Sequence, residues 1–338
     1  MTIRIKRYAK ILNAGIALPE KVVTNDEYEK EFGVALPEAW RRALEDRIGI
    51  TLRYVADENV APSDLAAEAI KNALDRAGLD VNDLDLIIQA TDTPDYQTPP
   101  SCTVIHKKLG AKLKTGCFDL NAACADQTIG LIIGSQMIML NDDINYVAIV
   151  SPYVMNRFID RKTDIVGSIF SDGAGAVILG PSDEPGFITG KIISDGSYWD
   201  YWGIFIGGAR PCSEEAIKQK WNYLRYIKRY PPDINIRHWP DLIKQTAEKA
   251  GIDVKDIKHF LITQVNKQSI MDTLKILGLP PERGIYIMGK YGYTGSACVF
   301  FALYDAINEG RFKHGDYLIF TTSGVGFVMA AALFRWVE

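Results

Sequence analysis

The 338-residue chain is poor in the residues that build metal centres and disulfide frameworks. Its four histidines (His106, His238, His259 and His314) are scattered, which leaves no cluster to hold a metal. The five cysteines (Cys102, Cys117, Cys124, Cys212 and Cys298) are odd in number and show no CxxC spacing. That excludes a zinc site and a disulfide scaffold, and it fits a reducing cytoplasm. Positive charge is not in excess: 38 Lys and Arg against 42 Asp and Glu give a net charge of −4, so no general basic field attracts nucleic acid. No uninterrupted apolar run reaches about 18 residues, so no membrane span is expected. The start, MTIRIKRYAKILNAG, is basic but lacks the apolar stretch and small-residue cleavage site of a signal peptide. What remains is ordinary globular material, 47% hydrophobic and 24% charged, enough for two domain-sized units or one large α/β unit.

The most informative feature is an internal repeat. Residues 77–91 read AGLDVNDLDLIIQAT and residues 250–264 read AGIDVKDIKHFLITQ, five identities in fifteen positions with Leu/Ile exchanges between them. Each copy follows a stretch with apolar residues three and four apart, carries a glycine suited to a helix C-cap, and runs into an apolar strand-like segment. More loosely, each then shows a helix, a strand (CFDL; IYIM), a small-residue turn and a long helix. Each closes on a buried strand and a glycine-punctuated apolar segment (SDGAGAVILG; SGVGFVMAAALF). Alternating strands and helices imply α/β layers, and the repeat implies two similar halves packed together. The halves are expected over 1–184 and 241–338. Residues 185–240 fit neither and are expected to form a linker or cap. They hold Trp199, Trp202, Trp221 and Trp239, many tyrosines, and the basic string Lys218, Lys220, Arg225, Lys228, Arg229. Their aromatics suit either the packing of an irregular lid or a wall of a substrate tunnel.

Cys124 is the leading chemical candidate. It follows the strand CFDLN and precedes an apolar helix, so unpaired N–H groups and the positive dipole end are expected to favour its thiolate. Backbone N–H groups there can also supply half of an oxyanion hole. The competing reading is a small buried hydrophobe, as expected for Cys102, Cys117 and Cys298. Asp126, two residues on, is rotated about 200° around the helix and is expected to point away from the thiol, as a first-turn acid or an interface contact.

The segments TPDYQTPPS (93–101), DLNAACA (119–125), FSDGAGAVIL (170–179), Q-x-N (264–266), KYGYTGSA (290–297) and SGVGF (323–327) occur in an order that resembles the β-ketoacyl-acyl-carrier-protein synthase III family of thiolase-like condensing enzymes. The resemblance spans nearly the whole chain. It implies a thiolase-like α/β fold of two duplicated halves in five layers, α-β-α-β-α, usually a dimer. It also implies Cys124 as acyl-accepting nucleophile, with the backbone N–H groups of Cys124 and Val325 forming the oxyanion hole. Substrates would be coenzyme A or acyl-carrier-protein thioesters, with no permanently bound cofactor and no metal. Arg47, Arg157 and Asn266 match positions expected to meet coenzyme A. The dimer would be a homodimer or a pairing with a homologue.

The chain departs from the family where its two side-chain donors stand. The HQAN position reads TQVN, placing Thr263 where a histidine is usual, and the GNTSA position reads GYTGS, placing Tyr293 where an asparagine is usual. Ser323 replaces an aromatic, ADQ follows the cysteine in place of a small or apolar pair, and Gln127 with Ser323 points to an altered tunnel mouth. His259 lies four residues before Thr263, about 13 Å along a strand, and cannot fill the gap. Both replacement hydroxyls can donate hydrogen bonds. Three readings follow. The first is an acyl-thioester transferase that passes the acyl group to an unusual acceptor. The second is a decarboxylating condensing enzyme that uses Thr263 and Tyr293. The third is a catalytically weak partner or scaffold subunit.

Overall fold

The computed structural model of the chain describes residue 5 and residues 7–162, 165–210 and 212–338. The first sheet contains β1 (Tyr8–Ala17), β2 (Leu86–Ala90), β3 (Gly116–Leu120), β4 (Val147–Tyr153) and β5 (Gly173–Ser182), in the order β1-β5-β4-β2-β3. Strand β2 runs parallel to β3 and β4, whereas β5 is antiparallel to β1 and β4. The second sheet contains β6 (Phe187–Ser194), β7 (Ile257–Ile262), β8 (Tyr317–Gly324) and β9 (Val328–Arg335), in the order β7-β8-β9-β6.

The longer helices are α1 (Pro62–Ala77), α2 (Ser101–Leu109), α3 (Asp126–Leu140), α4 (Ile234–Ala250), α5 (Lys267–Ile276) and α6 (Cys298–Asn308). Helices α3 and α6 touch strands of both sheets and so form the middle layer. Helices α1 and α2 cover the outer face of the first sheet, and α4, with α5 beside it, covers that of the second. This is the expected α-β-α-β-α arrangement. Residues Ala123–Leu140 are long and apolar enough to cross a membrane by composition alone, but most of that stretch is buried between the sheets. A helix apolar all round is what a middle layer requires.

The repeat is reproduced in its turns. Gly78 and Gly251 end α1 and α4 with φ of +67° and +68°. The Asp80 and Asp253 carboxylates then accept from the N–H groups of Asn82 (2.8 Å) and Lys255 (2.9 Å), opening one 3-10 turn before β2 and β7. Two expectations are corrected. Residues 185–240 are not linker throughout: 187–194 form β6, paired to β9, and α4 starts at Ile234. IYIM forms no strand; Gly284 makes only an isolated bridge to Phe260, so the second sheet has four strands against five in the first.

The layers approach closely where side chains are absent. A Cβ added at Gly15 of β1 would lie 2.3 Å from the Ala73 backbone nitrogen and 2.6 Å from the Ala69 carbonyl oxygen of α1. Backbone cannot retreat as a side chain can. Gly15→Ala is therefore expected to lower the unfolding free energy by about 2 kcal/mol in urea titration. Gly196→Ala, where a Cβ meets nothing within 4 Å, should leave the midpoint in place.

Candidate active site

Strand β3 ends at Leu120 and α3 begins at Asp126, so five residues must turn the chain. The Asn121 side-chain oxygen accepts from the Ala123 N–H at 3.0 Å, and Ala123 adopts φ of +48°, in the left-handed region. That conformation costs a non-glycine residue about 1–2 kcal/mol. The Ala125 and Asp126 N–H groups close the turn on the Ala122 (3.2 Å) and Ala123 (3.0 Å) carbonyls. Cys124 thus stands just ahead of α3, buried. The second half repeats the turn: Gly295 has φ of +44°, and Ala297 (−94°, −11°) matches Ala125 (−97°, −11°) before α6. Ser296 occupies the place equivalent to Cys124.

Fully buried Gln127 ties the two turns together. Its amide nitrogen donates to the carbonyls of Cys124 (3.1 Å) and Gly295 (3.3 Å), and its oxygen accepts from the Val299 N–H (3.1 Å). It is an internal clamp rather than part of a tunnel mouth. The end of β8 presses on the same turn. A Cβ at Gly324 would lie 2.4 Å from the Ala122 carbonyl oxygen and 3.1 Å from the Cys124 nitrogen, so glycine alone allows this approach. Val325 follows directly. Among the described residues, neither the Cys124 nor the Val325 N–H has a protein acceptor.

A cavity of about 170 Å³ opens here, lined among others by Cys124, Asp92, Thr263, Tyr293, Ser323 and Val325. The fold therefore brings together Cys124, Thr263, Tyr293 and Val325. The Thr263 hydroxyl accepts from the Ser323 N–H at 2.9 Å, which leaves its own hydrogen free to donate. Tyr293 is fixed by its N–H to the Ile169 carbonyl (3.1 Å), and its carbonyl accepts from the Ser171 N–H (2.9 Å). Its side chain lines the cavity with Cys124, and its hydrogen-bonding influence lowers the Cys124 thiol pKa. Aromatics of the 195–233 segment do both things expected of them. Trp202 and Tyr230 line the cavity, and the Tyr230 hydroxyl accepts from the Gly326 N–H at 3.0 Å, holding the loop that carries Val325.

The electrostatics reverse one expectation. Burial pushes the Cys124 thiol well above its ordinary pKa, and nearby Asp92 adds to the rise; the Tyr293 hydrogen bond opposes them. Desolvation outweighs the helix start. Asp126 is corrected too. It is no surface contact: it is fully buried, and one oxygen accepts from the hydroxyl of Ser296, in the turn ahead of α6, at 3.2 Å. Its other oxygen has no partner. Asp92 escaped the sequence reading. Its only signal was a carboxylate two residues after a buried strand, at the carboxyl end of a parallel pair, where α/β folds place ligands.

Other candidates lie elsewhere. Arg47 is exposed on the turn Ala43–Ile48. The Arg157 guanidinium donates to the carbonyls of Asp57 (2.8 Å), Glu58 (3.3 Å) and Val60, pinning that loop. The Asn266 side chain caps α5, accepting from the Ser269 N–H at 3.3 Å. None of the three lines the cavity. His259 sits 3.3 Å from Asp316, away from the cavity as expected. In the basic string, Lys220 pairs with Asp160 and Lys228 with Asp200, each at 2.6 Å.

A cysteine turn at the head of a helix sandwiched between two sheets of a duplicated five-layered fold defines a thiolase-like condensing enzyme. The comparisons make this specific. Two family models match: 3-oxoacyl-[acyl-carrier-protein] synthase III over residues 118–196, and the C-terminal part of the same synthase over residues 247–336. The β-ketoacyl-[acyl-carrier-protein] synthase III of Solibacter usitatus is 33% identical over 333 residues, covering 97% of this chain and 98% of that protein. The crystal structures of the synthase III proteins of Aquifex aeolicus and Thermus thermophilus, each 28% identical, superpose with TM-scores of 0.83 and 0.86. They cover 97% of this chain and 100% and 99% of their own. The chain belongs to the β-ketoacyl-[acyl-carrier-protein] synthase III family, and it is an enzyme of the acyl-transferring, condensing class.

The Tyr293 bond makes a direct prediction. Tyr293→Phe removes the hydrogen bond that lowers the Cys124 pKa, so less thiolate forms at a given pH. A bond to a charged group is worth about 1.5–3 kcal/mol. Iodoacetamide alkylation of Cys124 at pH 8, followed by mass spectrometry, should slow at least about tenfold.

Proposed function

We propose that the protein is an acyl-thioester transferase. Cys124 takes an acyl group from a coenzyme A or acyl-carrier-protein thioester and passes it to an acceptor that needs no decarboxylation, in fatty-acid or related lipid or secondary metabolism. The observation that carries this reading is a cavity that gives Cys124 room for an acyl group and holds no histidine among its lining residues. The backbone amides of Cys124 and Val325 receive the oxyanion of the tetrahedral intermediate. Removing one such preorganised side-chain donor costs on the order of 3–4 kcal/mol, or 100- to 1,000-fold in rate. Two usual donors are replaced here, which burdens an enolate-forming step far more than thioester exchange. The cavity, at about 170 Å³, is smaller than the roughly 300–1,000 Å³ of drug-sized pockets and suits a short acyl chain.

One observation favours the second reading, a decarboxylating condensing enzyme: the Thr263 hydroxyl hydrogen stays available beside the nucleophile. Arg47 remains the surface cation suited to a coenzyme A phosphate. The unpaired edge of β3 is where a second copy or a homologue would add a strand.

Incubation with acyl-CoAs of graded length, read by intact-protein mass spectrometry, should give an adduct on Cys124 that Cys124→Ala abolishes. Absence of any adduct supports a scaffold instead. Carbon dioxide release from malonyl-carrier protein by the acylated enzyme supports the condensing reading. Thr263→His combined with Tyr293→Asn should raise decarboxylation by at least tenfold; an unchanged rate counts against the assignment of these two positions.

A further inference from the structure

Among the described residues that line the Cys124 cavity there is no histidine, lysine, arginine or glutamate, and Asp92 is the single carboxylate. Asp92 is also the only residue that this cavity shares with an adjoining depression of about 700 Å³, whose walls include Asp95, Asn121, Trp199, Phe205 and Arg210. An acceptor that reaches Cys124 from that depression passes the Asp92 carboxyl. The Ser296 hydroxyl, with a single hydrogen to donate, lies between this carboxyl and the turn that carries Cys124. The Ser296 hydroxyl oxygen lies 3.5 Å from Asp92 Oδ1, 3.2 Å from Asp126 Oδ2 and 3.4 Å from the Ala123 carbonyl oxygen.

We propose that Asp92 is the proton-transfer group that discharges acyl-Cys124 onto a hydroxyl or amine acceptor. This rests on the acyl-transfer reading above. The Asp92 carboxylate removes the acceptor's proton as the acceptor oxygen or nitrogen bonds to the thioester carbon. The carbon–sulfur bond then breaks with its electron pair going to sulfur. The proton held by Asp92 passes to the Cys124 thiolate, which restores a thiol and a carboxylate.

Both neighbouring carboxyls are shifted upward by burial. Burial, with Asp92 as neighbour, pushes the Asp126 carboxyl well above its ordinary range. Burial raises Asp92 only to about 6, which leaves it a carboxylate at neutral pH and a competent base there. The groups that face it are Cys124, Tyr153, Tyr293, Asp126 and Ser296. Burial raises the pKa values of the first four, which favours their neutral forms beside Asp92.

The test loads wild type and Asp92→Asn with acyl-CoA at pH 9, where solvent base suffices. After buffer exchange, adduct loss is followed by mass spectrometry from pH 5 to 9 with water, with ethanol, and with hydroxylamine, a nucleophile that needs no base. Wild-type discharge to water and ethanol should rise through about pH 6. In Asp92→Asn it should fall about 100-fold or more and lose that limb, with partial recovery in Asp92→Glu. Hydroxylamine discharge should stay within about threefold. Equal rates and pH profiles in wild type and Asp92→Asn overturn the inference, as does an equal loss with hydroxylamine, which marks a structural defect. If Asp92→Asn does not fold, Ser296→Ala serves. It removes a hydrogen bond that lowers the Asp92 pKa, so the limb should move upward; an unmoved limb overturns the inference. No adduct on wild type overturns the acyl-transfer reading and this inference with it, whereas an adduct discharged normally by Asp92→Asn overturns this inference alone.

Discussion

The left-handed backbone at Ala123 is the constraint on which the molecule turns. It lets β3 pass its chain to α3 in five residues and leaves the thiol between the sheets instead of on either surface. A strained strand-to-helix turn is a general way to present a nucleophile, because the side chain is then aimed by backbone and not by its own rotamer. Here the strain is balanced by three fixed contacts: the Asn121 side chain beneath it, Gly324 pressed against it, and Gln127 bonding it to the matching turn at Gly295. The duplicated half supplies this last support. Each copy of the turn heads a central helix, and the two helices can pack only if both turns are held in register.

Burial sets the chemistry that this geometry permits. A helix start stabilises a nearby charge by at most about 2 kcal/mol, whereas removing a charge from water costs several. The thiol pKa accordingly moves up. A neutral thiol and a neutral thioester both suit such a site, and charge is tolerable only where fixed dipoles receive it. The two backbone amides without protein acceptors, at Cys124 and Val325, are the dipoles available. The aromatic segment serves the same end, since Tyr230 holds the loop that carries one of them.

Much of this was legible because repeats and turns are local. The glycine and aspartate pair shared by residues 77–91 and 250–264 encodes a C-cap and a 3-10 turn, and the structure forms both at both places. The meeting of Cys124, Thr263, Tyr293 and Val325 came from motif order, which a conserved layout preserves. What was missed depends on contacts between halves. The inward orientation of Asp126 and the surroundings of Asp92 both involve Ser296, which the other half supplies. Strand β6 was hidden because its partner, β9, lies more than a hundred residues away. Arg157 and Asn266 look like ligand-binding residues in sequence, yet each satisfies backbone groups close by in space: loop carbonyls for Arg157 and a helix N–H for Asn266.

The replaced donors and the carboxylate argue in one direction. A decarboxylating condensation brings a malonyl carboxylate, itself negative, beside the nucleophile. At about 5 Å and an effective dielectric of about 20, two such charges repel by roughly 3 kcal/mol. Asp92, with a pKa pushed up to about 6, supplies the other as its carboxylate, and among the described residues no cation lines the cavity to neutralise it. Thr263 and Tyr293 offer neutral hydroxyls, which soften that repulsion little. A neutral alcohol or an amine meets no such barrier, and for it a carboxylate in the cavity is an asset. On the proposed acyl-transfer reading, the replaced donors disfavour an anionic extender, and Asp92 favours an acceptor that arrives with a proton to lose.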